Sequence, residues 1–376
     1  MSTWLSVNRR PLILGALAVL ALLLQGVLEW TRTPIKQRDY DLKYTAAEKA
    51  HEAYMAIRRH RMMEGAAVDL VNDPAGTGLI GPEFSQITNA RGDLDAKLTS
   101  LNPNWAAVMV DMFRRAGLKP GDPVAVAISG SFPGLNIAVY AALEAMELSS
   151  VVVTSVGASM WGANDPAFTW LDMETLFVEE RIFHVRSAAA SLGGGDDMGR
   201  GLSPSGRRLL TDAIERNDVP LLASDHIEDA ITARMSLFAE RLRGRPCRCY
   251  VNVGGGVASL GSSQNKILIP HGLSMTLQAE NWPRKGSMVL MADKGVPVIH
   301  LLDIVDLARE HGLPIVPDYL AVPGEGDIFV RDSYRLSLAA VFFVVYAGLC
   351  ALVLAPEVRR KFRPPFGLGR RTGGEK

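Results

Sequence analysis

A serine-rich loop between a predicted strand and a predicted helix has the residue types of an anion-binding site. Residues 129–134 read SGSFPG, and an asparagine follows one turn into the helix. Two hydroxyls, the amides that glycine exposes and the positive end of the helix dipole can hold an anion without a formal charge. The predicted ligand-binding residues of this loop are Ser129, Gly130, Ser131 and Asn136.

Two further loops follow predicted strands. Residues 254–263 read GGGVASLGSS, and successive glycines let backbone amides approach a ligand closely. Residues 157–166 read GASMWGANDP, and they are expected near the first loop. The glycines are equally consistent with a tight turn that binds nothing, although two such loops on one sheet favour a ligand site. The predicted ligand-binding residues here are Asn164, Asp165, Gly254, Gly255, Gly256 and Ser259.

The same loops contain the residue types of a serine hydrolase or transferase. Such an enzyme needs a serine beside a base and amides directed at the developing oxyanion. The candidate nucleophiles are Ser129, Ser131 and Ser263. Lys266 is the candidate base because 263–266 reads SQNK, an S-x-x-K string short enough to arise by chance. No lysine or histidine is placed by spacing beside Ser131.

Other chemical signatures are missing from the sequence. The G-x-S-x-G pattern of hydrolases fails by one position, and no Walker loop is present. The cysteines and histidines do not have the spacing of a zinc site. The sequence therefore predicts no metal site and no cofactor.

These loops belong to a predicted alternation of strands and helices. Residues 124–128 and 151–155 are short apolar runs, and 135–146 between them has helical spacing, which predicts a βαβ unit. Further strand-like runs are 250–253, 287–291 and 298–302, and further helical patterns are 39–63, 104–116, 171–180, 204–217, 227–243 and 304–311. We therefore predict an α/β fold with a mainly parallel sheet and helices on both faces. In such a sheet ligands bind at the carboxyl ends of the strands.

Two apolar runs bracket this region. Residues 11–28 and 336–355 contain no charged side chain, and each is long enough to cross most of a bilayer. A cleaved signal peptide is the alternative for the first run, but the run is longer than usual and lacks small residues before a cleavage site. We predict transmembrane helices at 11–30 and 336–355.

Charge indicates how the chain is oriented. The 40 basic and 40 acidic residues balance, which argues against a nucleic-acid partner. The tail after Pro356 contains seven basic and two acidic residues, and Arg9 and Arg10 precede the first run. Positive charge stays in the cytoplasm, so we predict a two-pass protein of the bacterial inner membrane. Its parts are a cytoplasmic head at 1–10, an extracytoplasmic domain at 31–335 with one body or two lobes (31–200 and 201–335), and a basic cytoplasmic tail at 356–376.

Several strings of this outer domain resemble the bacterial poly-γ-glutamate system protein family. They are AISGSFPGLNIAVYAALEAM, VVTSVGASMWGANDP and FTWLDME within 122–174, SLGGGDDMGRGLSP at 191–204, YVNVGGGVASLG at 250–261 and VIHLLDI at 298–304. With the flanking apolar runs, the resemblance covers nearly the whole chain. It implies a part in making or exporting poly-γ-glutamate, a capsule-like polymer joined through side-chain carboxyls. In such systems another protein carries out the ATP-dependent ligation, which agrees with the missing Walker loop.

Two functions remain open at this level. The first is a non-enzymatic membrane component that binds γ-glutamyl oligomers, the polymer or partner subunits of the system outside the bilayer. The second is an extracytoplasmic serine hydrolase or transferase that acts on the polymer. The sequence favours the first because no catalytic signature is complete.

Overall fold

The computed structural model describes residues 10–65, 68–278 and 281–361. Two compact units are distinguished: one is Lys36–Val330, and the other combines the terminal segments up to Ile35 and from Arg331. Residues 1–9 of the predicted head and 362–376 of the predicted tail lie outside the described residues.

Helices and strands alternate through most of the larger unit. The helices of the described residues are α1 Arg10–Trp30, α2 Tyr40–Met63, α3 Leu94–Thr99, α4 Trp105–Arg115, α5 Pro133–Ala145, α6 Trp170–Glu179, α7 Pro204–Arg216, α8 Ile227–Arg241, α9 Val257–Leu260, α10 Asn265–Leu268, α11 Ser287–Ala292, α12 Ile304–His311 and α13 Leu336–Lys361. The strands are β1 Thr33–Lys36, β2 Thr88–Ala90, β3 Pro123–Ser129, β4 Ser149–Ser155, β5 Ala158–Ser159, β6 Asn164–Asp165, β7 Phe168–Thr169, β8 Ser187–Ser191, β9 Cys249–Val253, β10 Gly272–Ser274, β11 Val298–Leu301 and β12 Val330–Ser333.

A six-stranded sheet in the order β10-β11-β9-β3-β4-β8 forms the centre of the larger unit. Neighbouring strands are parallel except β10 and β11. In the central strand β3, Val126 lies opposite Val152 of β4 and Val251 of β9. The predicted α/β fold with a mainly parallel sheet is confirmed. Because the strands are parallel, the carboxyl ends of β3, β4, β8, β9 and β11 meet at one edge of the sheet.

Alternate residues of β3 belong to two different hydrophobic clusters. Val124, Val126 and Ile128 belong to a cluster that includes side chains of α2, α4 and α5. Ala125 and Ala127 belong to a second cluster with side chains of α8 and α11. Successive side chains of a strand point in opposite directions, so a strand buried throughout reads as a continuous apolar run. This explains the sequence PVAVAIS of β3.

The strand predicted at 287–291 is wrong, since this segment forms helix α11. Its sequence SMVLM is short and apolar, and periodicity does not separate a short buried helix from a buried strand. Gly286 supplies an extended backbone before the helix. Met288, Val289 and Met291 then pack in the second cluster, and this tertiary packing decides the local structure.

The smaller unit contains the two apolar helices. Residues Pro11–Trp30 have a mean hydropathy of 2.4 and Leu336–Val353 of 2.5, and neither span is buried within the protein. Both are long and apolar enough to cross a membrane, which is compatible with a two-pass membrane protein. Helix α13 continues through Pro356 to Lys361, six residues beyond the end of the predicted span at 355. Strands β1 and β12 pair as a separate two-stranded sheet.

Candidate functional site

A cavity of about 790 Å³ opens at the edge of the sheet where the parallel strands end. Ser129 ends β3, Ser155 ends β4, Gly255 follows β9, and Leu302 follows β11. Other lining residues come from segments 89–97, 157–159, 194–195 and 303–305. Sites for small ligands have volumes of roughly 300–1,000 Å³, and parallel sheets bind ligands at this edge.

The first serine loop contributes two of its predicted residues to the cavity. Ser129 and Ser131 line it, and the Ser131 amide donates to Ser129 Oγ at 3.4 Å. Asn136 is fully buried behind the loop, where its Nδ2 donates to the Ser129 carbonyl at 2.9 Å. Asn136 therefore positions the loop rather than lining the cavity.

The glycine loop after β9 also reaches the cavity. Gly255, Gly256 and Lys266 line it. Gly254 has φ = 87°, and a Cβ at this position would lie 2.6 Å from Ser129 Oγ. A Cβ at Gly255 would lie 2.8 Å from Lys266 Nζ, so the absence of a side chain lets the lysine lie across the loop.

Two predicted serines of this segment lie outside the cavity lining. Ser259 is buried, with its Oγ 3.0 Å from the hydroxyl of Tyr250. Ser263 is exposed, and its Oγ donates to Gln264 Oε1 at 3.4 Å. The S-x-x-K string therefore brings only its lysine to the cavity.

The third loop packs against the first, as its position after β4 predicts. The Ala163 amide donates to the Gly130 carbonyl at 2.7 Å, and the Ser159 amide donates to Ser131 Oγ at 3.1 Å. Of this loop, Gly157 and Ser159 line the cavity. Gly130 of the first loop does not line it, because it is packed against the third loop, where a Cβ would lie 2.6 Å from the Val156 carbonyl oxygen.

Asn164 and Asp165 are turned away from the lining of the cavity. Asn164 Nδ2 donates to the Pro82 carbonyl and to Thr88 Oγ1, both at 2.8 Å. Asp165 forms an ion pair with Arg61 at 2.9 Å. These contacts fix the third loop to α2, to the segment before β2 and to β2 itself, which is a structural role.

Lys97 also lines the cavity, although no motif or spacing in the sequence marks it as a site residue. It lies in the short helix α3, its side chain is 1 % exposed, and its Nζ lies 2.8 Å from Ser159 Oγ. Nζ also contacts the Ser131 carbonyl and lies 3.9 Å from the centre of the Phe132 ring. Burial lowers the pKa of Lys97 to about 7, and the carboxylate of Asp93 opposes this shift.

Exposed charges of both signs surround these buried groups. The charged lining residues beside Lys97 are Arg91, Asp93, Asp95, Lys266 and Asp303. The two basic side chains can hold a carboxylate by direct contact, but the three acidic ones outnumber them, so the exposed charges of the lining do not attract an anion as a whole. Within the described residues, no group of three or more histidine, cysteine and acidic side chains is arranged to hold a metal ion.

A buried ion pair supports the wall of the cavity formed by Ser155. Arg234 Nη2 lies 2.7 Å from Asp197 Oδ2, and both side chains are at most 3 % exposed. Arg234 also donates to Ser155 Oγ at 2.9 Å and Ser191 Oγ at 2.8 Å. Ser155 Oγ in turn donates to Asp197 Oδ1 at 2.9 Å. The cluster ties α8 to the ends of β4 and β8.

Comparisons of the chain with protein-family models, curated proteins and solved structures find no match.

Proposed function

We propose that the chain is a membrane-anchored component of a poly-γ-glutamate synthesis or export system and that its outer domain binds γ-glutamyl chains. The observation that carries the proposal is the strand-end cavity, which combines serine hydroxyls and glycine backbone with two exposed basic side chains, Arg91 and Lys266. The resemblance of the strings within 122–304 supports the choice of pathway and polymer.

The chemistry of the polymer suits donors of this kind. A chain joined through side-chain carboxyls keeps a free α-carboxylate on every unit, so the ligand is a regular polyanion. Residues 31–335 have a net charge of about −6, and only local donors can hold such a ligand. Hydrogen bonds contribute about 0.5–1.5 kcal/mol each, or about 1.5–3 kcal/mol when one group is charged. A few of them bind a carboxylate firmly enough for recognition and weakly enough for release.

The same proposal includes an arrangement in the membrane. Residues 31–335 lie outside the inner membrane of a bacterium and both termini lie inside, because basic residues flank the apolar helices on the terminal sides. Helices cover both faces of the sheet in this proposal. Its support is that alternate residues of β3 belong to two hydrophobic clusters, which contain side chains of different helices. Other subunits of the system and the lipid bilayer are the further partners.

Calorimetric titration of the full-length chain in detergent with a γ-glutamyl oligomer tests this function. Binding should release or absorb heat, and Lys266→Met should weaken it about tenfold or more through loss of a charge-assisted hydrogen bond. Lys294→Met, at an exposed lysine outside the cavity lining, is the matched control. Absence of heat with the oligomer, or equal affinities of the two variants, would refute the proposal.

The contact between Lys97 Nζ and Ser159 Oγ favours a second candidate function. An extracytoplasmic serine hydrolase or transferase acting on the γ-glutamyl polymer would need such a pair. The pairing considered from the sequence is different, and within the described residues no hydrogen bond joins Lys266 to Ser129, Ser131 or Ser263.

A further inference from the structure

Ser159 and Lys97 are held together in the cavity by separate elements of secondary structure. Ser159 lies in β5, opposite Ala90 of β2, so the backbone pairing fixes its position. Lys97 lies in α3, and the carboxylate of Asp93, the residue before this helix, accepts from two amides of its first turn. The resulting distance of 2.8 Å between Ser159 Oγ and Lys97 Nζ is within hydrogen-bond reach.

We propose that Ser159 is a nucleophile and Lys97 its general base in an acyl-transfer reaction at a γ-glutamyl carbonyl. The geometry that supports the pair is the contact between Oγ and Nζ together with the position of both residues in the cavity lining. The substrate class rests on the proposed function, whereas the pairing of the two side chains does not.

The surroundings of Lys97 suit a base better than a fixed cation. A permanently charged ammonium in an apolar site is costly, and burial lowers the pKa of Lys97 to about 7. Near neutral pH a large fraction of the amine is therefore unprotonated. In the structure Nζ donates to both the Ser131 carbonyl and Ser159 Oγ. An amine that has lost a proton keeps N–H groups for the Ser131 carbonyl and gains a lone pair that can accept the hydrogen of the Ser159 hydroxyl.

Other charged groups bear on this protonation. Asp93 raises the pKa of Lys97, against the larger effect of burial. The charged groups that line the same cavity from α3 and the neighbouring segments are Arg91, Asp93, Asp95, Lys266 and Asp303.

The proposed step balances without a cofactor or an oxidant. As the bond from Ser159 Oγ to the carbonyl carbon forms, Lys97 takes the hydroxyl proton and an electron pair moves to the carbonyl oxygen. Collapse of the tetrahedral intermediate breaks the carbon–nitrogen bond, and Lys97 returns its proton to the leaving amine. The ester on Ser159 is then attacked by water, giving hydrolysis, or by an amine, giving transfer, and Lys97 accepts a proton of the attacking group. Collapse of this second intermediate breaks the bond between the acyl carbon and Ser159 Oγ, and Lys97 returns the proton to Oγ.

The test uses the full-length chain in detergent with γ-glutamyl p-nitroanilide. The wild-type chain should release p-nitroaniline, and mass spectrometry of the digested protein should find a γ-glutamyl ester on Ser159. Ser159→Ala should abolish the ester, and Lys97→Met should lower the rate about 100-fold or more. The wild-type rate should rise with pH around 7, a response that a purely structural lysine would not produce. Absence of both release and ester, or a wild-type rate in Ser159→Ala, overturns the proposal.

Controls separate chemistry from folding. Ser236→Ala and Lys294→Met change exposed residues outside the cavity lining and should keep at least half of the wild-type rate. If Ser159→Ala or Lys97→Met fails to fold, Ser159→Cys supplies the test, because a thiol beside a base is alkylated by iodoacetamide faster than an ordinary thiol. Its alkylation should exceed that of Ser236→Cys about tenfold or more, and equal rates overturn the proposal.

The polymer-binding proposal and the acyl-transfer proposal can be refuted separately. Ser159→Ala removes one neutral donor from the cavity lining, so its affinity for the γ-glutamyl oligomer in calorimetry should fall by no more than about tenfold and binding should remain measurable. Intact binding without any ester on Ser159 would refute the acyl-transfer proposal alone. An ester on Ser159 without measurable oligomer binding would refute the polymer-binding function instead.

Discussion

Burial of a single lysine makes the stability of the protein depend on pH. Lys97 has a pKa of about 7 in the folded chain, against 10.5 for an ordinary lysine. Between these values the unfolded chain binds more protons than the folded one, so stability rises with pH. Below about pH 7 both states are protonated, and the full cost of burying the charge is present.

Lys97→Met removes this contribution and provides the test. Relative to wild type, the free energy of unfolding of the variant should fall as pH rises from about 7 to 10.5, by at most about 1.4 kcal/mol per pH unit. Denaturant unfolding at several pH values measures this difference, with Lys294→Met as the exposed control. A difference that does not change with pH in this window would contradict the buried position of Lys97.

Gly254 is a second position at which the structure requires a particular residue, in this case glycine. Its φ of 87° disfavours any side chain, and a Cβ would lie 2.6 Å from Ser129 Oγ. Gly254→Ala should therefore lower the unfolding free energy by about 1–3 kcal/mol. Gly117→Ala is the matched control, since Gly117 has φ = 80° but no atom within 4 Å of the added Cβ. Equal losses in denaturant unfolding would show that contact with Ser129 adds nothing.

Among the structural elements, α8 is attached to the ends of β4 and β8 by one buried ion pair, in addition to its apolar packing. Asp197→Asn leaves Arg234 as an uncompensated buried charge and should cost about 3–5 kcal/mol in denaturant unfolding. Asp196→Asn is a close control because Asp196 and Asp197 both have positive φ, of 54° and 63°. The partner of Asp196, Arg200, is 69 % exposed, so the loss should be at most about 1 kcal/mol.

A similar loss in both variants would contradict this assignment of the ion pair. A double-mutant cycle with Arg234→Met then measures the coupling itself. The double variant should be less destabilised than the two single changes added together, because it removes both charges.

Helices and strands with a clear hydrophobic pattern can be predicted from the sequence, whereas those with a weak pattern cannot. The wholly apolar β3 and the periodic α4 follow from the sequence because burial imposes their residue types. Strand β8 reads SAAAS, a sequence without strand propensity, and its place beside β4 comes from the sheet. The strand prediction for α11 is wrong because tertiary packing, not the periodicity of the sequence, decides the structure of so short an apolar segment.

The candidate site shows the same limit. The strand-end position of Ser129, Ser131 and Gly255 follows from the rule for parallel sheets, and the structure places all three in one cavity. Lys97 and Ser159 are separated by 62 residues, and no spacing rule joins a lysine of a short helix to a serine of a two-residue strand. Only the tertiary structure, in which α3 and β5 both border the cavity, brings them together.

For the whole molecule, the proposed orientation predicts opposite results for reporters at two positions. Alkaline phosphatase fused after Lys36 should be active because it would be exported, whereas a fusion after Lys376 should be inactive. A fluorescent protein that matures only in the cytoplasm should give the reverse pattern. Activity of phosphatase at the C-terminus, or silence after Lys36, would contradict the orientation.

The most direct measurement is photo-crosslinking of the full-length chain with a γ-glutamyl oligomer that carries a diazirine, followed by mapping of the modified peptides. The proposed function predicts modification within 89–97 and 255–266, which line the cavity, and competition by unlabelled oligomer. Modification confined to other segments, or a yield that unlabelled oligomer does not lower, would contradict binding of the polymer in this cavity.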